Sequence, residues 1–454
     1  MKLYNTLSRQ TEEFSAADGA VKMYVCGITP YSPSHVGHAF SAVVFDTLRR
    51  YLEHGGQAVR HVQNFTDIDD KMIKAATDEG ISVAQLAERN IQQYFKEMDA
   101  LNVLRAHVYP RATGEIPKII EITESLIASG YAYAVQGSVY YRVNNFYGYG
   151  KLSRRTLDSM QAGARVEIDE IKEDVMDFAL WKAEKPGEPS WDSPWGLGRP
   201  GWHIECSAMS IAHLGETIDI HGGGPELAFP HHENEIAQSE PYTDKAPFVR
   251  FWVHHGHVQF GEDKMSKSLG NVVPIGEALE RYSPDALRLF FLSSHYRSPL
   301  VYSDQNVIAQ ERAVERLRNA ANGGDTNGPV SLNVDQYRGR FVEAMDDDLN
   351  TPRALAVLFD LARDINRTSE AGGGVADAQQ LLGDLCGVLG LTLEGPATTG
   401  SGDVAPFVDL LINLRSELRG AKQFELADRV RDGLSDLGVS IEDKADGTEW
   451  RGTT

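Results

Sequence analysis

The sequence predicts an α/β chain in which a parallel sheet is split by an insertion and followed by a helical bundle and a small C-terminal module. Three stretches predict it. VKMYVCGIT (21–29) joins β-branched and aromatic residues and stops at a Gly-Ile-Thr-Pro turn, so it reads as a buried strand ending at Cys26 or Gly27. HVGHAFSAVVFDTLRRYLEHGG then carries Val43, Val44, Leu48 and Leu52 at helical spacing and closes on Gly55 and Gly56. VRHVQNF (59–65) is a second strand, and strand, helix and strand in that order make a parallel βαβ unit. Ligands of such sheets bind at the carboxyl ends of the strands, which places Cys26 and the segment His35 to His38 at the expected crevice.

Further along, 82–101 and 115–129 are amphipathic helices, and YAYAVQGSVYYRV (131–143) alternates as a hairpin does. The stretch to 200 is rich in Gly, Pro and Trp, so 110–200 is read as the insertion. IDIHGGG (218–224) and FVRFWVHHGHV (248–258) return to the strand pattern, so the sheet domain comprises 1–110 and 200–260. GEDKMSKSLGN (261–271) is a polar loop, and PDALRLFFLS and 304–322 are helical. GGDTNGP (323–329) is a linker, 334–390 a helical bundle, and EGPATTGSGD (394–403) a second break. Two helices, 406–420 and 424–437, and a terminal hairpin complete the chain.

With 454 residues, 42% of them hydrophobic, there is material for two to four domains. No apolar run reaches the roughly eighteen residues that span a bilayer, and MKLYNTLSRQTEEF has no continuous apolar region of a secretory signal. Three widely spaced cysteines, Cys26, Cys206 and Cys386, point to a reducing, cytoplasmic setting and against a disulfide framework. A net charge of -21 weighs against a polyanionic partner, although local patches decide binding.

Residues 201–239 hold the first chemical signal. Pro230 suits a first helical position, and His231 and Glu235 then share one face, where a ring nitrogen and a carboxylate oxygen can grip a metal that a thiolate such as Cys206 also suits. A buried small Cys206 beside an exposed i, i+4 pair is the competing reading, and the metal reading needs another ligand. His35-Val36-Gly37-His38 opens a helix just past a strand, where free N–H groups, a permissive glycine and two imidazoles suit phosphate. Lys264 and Lys267, on a loop flanked by Gly261 and Gly270, could neutralise a leaving pyrophosphate.

HVGH and KMSKS, in that order after strands of one sheet, resemble the HIGH and KMSKS signatures of the class I aminoacyl-tRNA synthetases. The strings MYVCGIT, NFTDIDDK, GWHIECSAM, FPHHENEIAQ, DDLNTPRAL and EDKADGTEWR resemble the cysteine-specific branch and extend the likeness over nearly the whole chain. The resemblance implies a Rossmann-like catalytic domain, a connective insertion (110–200), a KMSKS-containing stem-contact region (260–322), a helical bundle (330–392) and an anticodon-recognition domain (404–454). It implies one Zn²⁺ per chain on Cys26, Cys206, His231 and Glu235, with Cys386 in the core, and a zinc that tells thiolate from alcohol, so that no editing site is expected.

The implied reaction uses ATP with Mg²⁺ and L-cysteine to make cysteinyl-adenylate, then acylates cysteine tRNA at the terminal 2′-OH. His35, His38, Lys264 and Lys267 act on phosphates, with Gly37 and Glu226 beside the nucleotide. Thr66, Trp202 and His221 hold the amino acid. In GGGPEL this chain has Glu226 where the family commonly has Asp. Arg415, Arg419, Lys422, Arg429 and Arg431 give the terminal helices a basic face, and Arg419, Asp428 and Asp443 are the implied base readers. A monomer with no membrane association is expected. Two alternatives are a ligase joining cysteine to an amino-sugar inositol in mycothiol synthesis and a non-catalytic tRNA-binding paralogue. Both are disfavoured, the first by the DDLNTPRAL and EDKADGTEWR strings and the second by intact HVGH and KMSKS.

Overall fold

The computed structural model describes the chain apart from residues 18, 157–170, 261–262, 265–271, 324–327, 329–331, 395–404, 445–446 and 453–454. Two compact units result, Met1–Leu393 and Glu394–Thr454.

The first unit opens on a hairpin, β1 (Lys2–Asn5) and β2 (Gln10–Glu13). β3 (Val21–Val25), α1 (Val36–His54) and β4 (Val59–Gln63) form the expected βαβ unit, followed by α2 (Asp70–Glu79) and α3 (Val83–Ala100). The insertion is α4 (Ile116–Ala128) with an antiparallel sheet of β5 (Ala132–Val135), β6 (Ser138–Tyr141), β7 (Phe178–Ala183) and β8 (Gly198–Pro200). The chain returns through α5 (Trp202–Leu214), β9 (Ile218–Gly223), a π turn (Ala228–His232), α6 (Glu233–Thr243) and β10 (Val249–His254). The main sheet is parallel, in the order β10-β9-β3-β4.

β3 is buried on both faces because helices cover both sides of a parallel sheet. Its alternate residues enter different cores. Val21, Met23 and Val25 pack with α1, whereas Tyr24 joins Val62, Ile218 and Trp252 against α4 and α5. Helix starts follow local chemistry: Asp69 accepts from Met72 N at 2.7 Å ahead of α2, and Ser82 with Gln85 makes a capping box ahead of α3.

After β10 come short strands β11 (Val258–Phe260), β12 (Asp263–Lys264) and β13 (Leu300–Tyr302), which pair with one another. Helices α7 (Ile275–Arg281), α8 (Pro284–Leu292), α9 (Asp304–Asn322), α10 (Asp335–Asp346), α11 (Thr351–Glu370) and α12 (Ala376–Val388) finish this unit and share its larger core. Cys386 is buried there, as expected. A buried ion pair ties α8 to α1. Arg288, 0% exposed, meets Asp46 and donates to Leu389 O at 2.6 Å and Leu101 O at 2.9 Å. Burial alone would raise the Asp46 carboxyl, but the Arg288 and Arg50 charges outweigh it and hold it below its ordinary value.

In the second unit, α13 (Ala405–Gly420), α14 (Phe424–Asp436) and the hairpin β14 (Val439–Lys444) with β15 (Gly447–Gly452) enclose Val408, Ile412 and Leu434. The expected basic face is corrected here. Arg415 is 3% exposed, and Lys422 lies in the turn between the two helices.

Candidate metal centre and catalytic cavity

A cavity of about 310 Å³ opens at the carboxyl ends of the parallel strands. One wall carries Cys26, Cys206, His231, Thr66 and Trp202; another carries His35, Gly37, His38, Glu226 and the segment His255–Val258. The strand ends explain the convergence. Cys26 N donates to Gly222 O at 3.0 Å, so the β3–β9 ladder runs one residue past the strand and fixes the cysteine. Gly27 follows because the β4 end passes so close that a Cβ there would lie 1.7 Å from Asn64 O.

Cys206 projects from α5, and His231 and Glu235 from the π turn and α6. The ligating atoms of Cys26, Cys206, His231 and Glu235 all lie within 4.8 Å of one another. The two sulfurs are 3.7 Å apart, and His231 Nε2 is 3.1 Å from Glu235 Oε1. Glu235, Cys206 and His231 are buried to within 2% of complete.

Burial pushes the Cys26 thiol well above its usual range, with hydrogen bonding and charge from Cys206 and Glu235 adding to it. It pushes His231 well down, helped by His203 and His221. Such groups are uncharged without a cation. A divalent ion would draw off the thiol protons and use the neutral imidazole as it stands, so two sulfurs, one nitrogen and one oxygen fit a borderline-soft metal.

Three more histidines surround the set. His232 Nε2 is 3.3 Å from Cys26 Sγ, and its Nδ1 meets His254 Nε2 at 2.8 Å; His254 Nδ1 reaches Thr6 Oγ1 at 2.8 Å. His203 and His231 face each other through their Nδ1 atoms at 3.0 Å. Cys26, His221, His232 and Glu235 form a second, overlapping group of possible ligands. Sequence reasoning passed over His203, His232 and His254; the doubled histidines of FPHHENE and WVHHGHV were the visible signal for the last two, whereas His203 stands singly in GWHIECSAM.

Trp202 is 41% exposed and stacks on His231 with centroids 4.5 Å apart, so it lines the cavity and is not core. Thr66 accepts from Asn64 Nδ2 at 3.4 Å. His221, expected to hold the amino acid, is 0% exposed and is bonded through Nε2 to Glu235 Oε2 at 2.8 Å. From there it backs a candidate ligand, as the outer partners of a metal site do.

His35 and His38 stack with centroids 3.7 Å apart at the start of α1, around Gly37. Val36 N donates to Val273 O at 3.0 Å and Ile275 N to Ser34 O at 3.1 Å, which joins HVGH to the segment just after the KMSKS loop. Lys267 lies outside the described residues, as does the side chain of Lys264, whose backbone is in β12. Glu226 Oε2 is 3.3 Å from His257 Nδ1. In the second unit Arg419 is exposed on α13, Asp428 is 3.7 Å from Arg431, and Asp443 pairs with Thr448 in the hairpin, its side chain outside the described residues.

The parallel sheet with HVGH at its crevice defines a class I tRNA synthetase. Residues 13–312 match the family described as tRNA synthetases class I (C) catalytic domain, and residues 340–394 match the DALR domain. The fold is similar to Mycobacterium tuberculosis methionyl-tRNA synthetase in complex with methionyl-adenylate, with TM-score 0.59 and 17% identity over 82% of this chain and 90% of that one. Among curated relatives, the cysteine–tRNA ligase of Dehalococcoides mccartyi is 58% identical, covering 99% of both chains. That of Caldicellulosiruptor saccharolyticus is 48% identical at the same coverage. The chain belongs to the cysteine–tRNA ligase family.

Proposed function

We propose that this enzyme activates L-cysteine with ATP and transfers it to cysteine tRNA, and that a zinc ion on Cys26, Cys206, His231 and Glu235 selects the thiol over serine's hydroxyl. One observation carries the reading: the sulfurs of Cys26 and Cys206 and the ring of His231 line the same cavity as HVGH, with the Glu235 carboxylate grouped with them just behind. Zinc bound there would lower the pKa of the substrate thiol and take it as a soft thiolate, which an alcohol does not match. A shape-based pocket separates such near-isosteres by only about 10–200-fold.

The chain's own groups do the rest. Thr66 and Trp202 hold the amino acid with its carboxylate toward the nucleotide. His35, His38 and the start of α1 hold the phosphates, with Gly37 and Glu226 beside the nucleotide. The carboxylate attacks the α-phosphate, pyrophosphate leaves toward Lys264 and Lys267, and the terminal 2′-OH of the tRNA then takes the acyl group. No covalent enzyme intermediate is formed, so positioning and charge stabilisation supply the rate. Mg²⁺ accompanies ATP. Residues 1–110 and 200–260 make the catalytic domain, 110–200 the connective insertion, 260–322 the stem-contact region and 330–392 the bundle. Anticodon reading is assigned to 404–454, with Arg419, Asp428 and Asp443 as base contacts. We take the enzyme to be a monomer of the cytoplasm, a compartment with which three free thiols accord; no described helix is long and apolar enough to cross a membrane.

The test combines metal analysis, ATP–pyrophosphate exchange with cysteine and with serine, and tRNA charging. Cys206→Ser should lose most of its zinc and most cysteine-dependent exchange while its thermal unfolding stays close to the parent's. Full retention of metal and selectivity would refute the metal assignment. Ligation of cysteine to an amino-sugar, with no charging of tRNA, would overturn the acceptor.

A further inference from the structure

Glu233 stands between two candidate ligands in sequence yet faces away from them. Residues two apart on a helix point to nearly opposite sides, so while His231 and Glu235 turn toward each other and the two cysteines, Glu233 turns into the insertion. It is 0% exposed. Its carboxylate accepts the peptide N–H of Ser153 at 2.8 Å and of Leu152 at 3.3 Å. The same stretch grips further turns of α6: Tyr149 donates its hydroxyl to Asn234 Oδ1, and Lys151 Nζ lies 2.6 Å from Glu240 Oε2. Tyr141, on β6, donates to Ala237 O at 2.5 Å.

A fastener of this kind fixes the rotation of α6 about its own axis. Helix rotation bears on whether Glu235, and His231 just before the helix, meet Cys26 and Cys206, since those two sit one residue past β3 and on α5.

We propose that Glu233 is a positioning residue that, by clamping α6 to residues 149–153 of the insertion, sets the affinity of the metal centre and through it the selection of cysteine. The proposal rests on the zinc reading above. The insertion thereby becomes part of the metal site's scaffold although it supplies no ligand.

The experiment uses the full-length protein, stripped of metal and titrated with zinc against a chromophoric chelator, together with exchange kinetics for cysteine and ATP. Glu233→Gln keeps the size but offers one acceptor oxygen and turns an amide N–H toward a peptide N–H. Glu233 touches no ligand, so the variant's zinc affinity should fall by about 10-fold, the low end of what losing a group bonded directly to a ligand costs. KM for cysteine should rise while KM for ATP stays unchanged, and Glu233→Asp, which retains both oxygens, should recover part of each loss. Tyr149→Phe removes one bond of the same clamp and should give a smaller shift in the same direction, so the test survives if Glu233→Gln folds poorly. A lowered melting temperature of the metal-free protein, with zinc affinity and cysteine KM at parental values, would show ordinary packing and overturn the proposal. A parent protein that takes up no zinc would instead defeat the zinc reading itself.

Discussion

Replacing Gly27 by alanine tests how closely the strand ends must approach. The added Cβ would sit 1.7 Å from Asn64 O and 2.8 Å from Asn64 C, both backbone atoms, whereas real Cβ contacts stay beyond 3.0 Å. The β3 and β4 ends must therefore part by more than 1 Å. Gly27 φ lies outside the left-handed region, so no torsional strain adds to the steric effect. The movement falls on functional parts: Cys26 is the preceding residue, Gly27 N donates to Asn64 Oδ1 at 2.8 Å, and Asn64 holds Thr66. Metal–ligand distances tolerate only about 0.2 Å, so Cys26 leaves the set or the set distorts. A misplacement of about 1 Å costs roughly 100-fold in rate, or about 2.7 kcal/mol of transition-state stabilisation. Cysteine-dependent ATP–pyrophosphate exchange, read beside zinc content and thermal unfolding, measures it. A Gly27→Ala enzyme with parental zinc and kcat/KM for cysteine would refute the argument that this contact sets the site.

Two more predictions concern stability. Asp46→Asn leaves the Arg288 guanidinium fully buried without its counter-charge and should destabilise the protein by about 3–5 kcal/mol in urea unfolding, a loss under 1 kcal/mol being incompatible with the pair as described. His61 is buried by β4 and held down to about 3, first by burial and then by the Arg49 charge, and neither ring nitrogen has a hydrogen-bond partner among the described residues. The unfolded state then binds the extra proton between the usual 6.5 and about 3, so stability is complete above pH 6.5 and falls as pH drops through that window. From pH 7 to 5 this one group should remove about 2 kcal/mol. His61→Phe should flatten the stability–pH curve by that amount, and an unchanged slope would contradict it.

The catalytic sheet was legible because its strands are short, apolar and punctuated by glycine, and because α1 carries a clear helical period. The antiparallel sheet of the insertion was seen only as a hairpin. β7 and β8 escape pattern reading because β8 is three residues long and its first residue Gly198 and the following Gly201 are dictated by contact, a Cβ there meeting Lys182 O at 2.3 Å or Ala179 O at 2.0 Å. The N-terminal hairpin β1–β2 was missed for the same reason, its four-residue strands being mostly polar. At the site, i, i+4 spacing could pair His231 with Glu235, but His232 at i, i+3 was equally able to reach that face. Only tertiary packing separates their parts, directing His231 to the cavity wall and His232 to Cys26 and His254. The depth of His221 likewise follows from β9 lying inside the sheet, which its own residues do not announce.

The order of the strands has a bearing on synthesis. β3 is paired on one side with β4, which emerges soon after it, and on the other with β9, nearly two hundred residues later. At about 5–20 residues per second, a ribosome leaves that flank of β3 without its partner for roughly ten to forty seconds. An apolar strand with an open edge is a template for wrong pairing during that interval. The nascent chain is thus most exposed to aggregation, and most in need of a chaperone, while the insertion is being made.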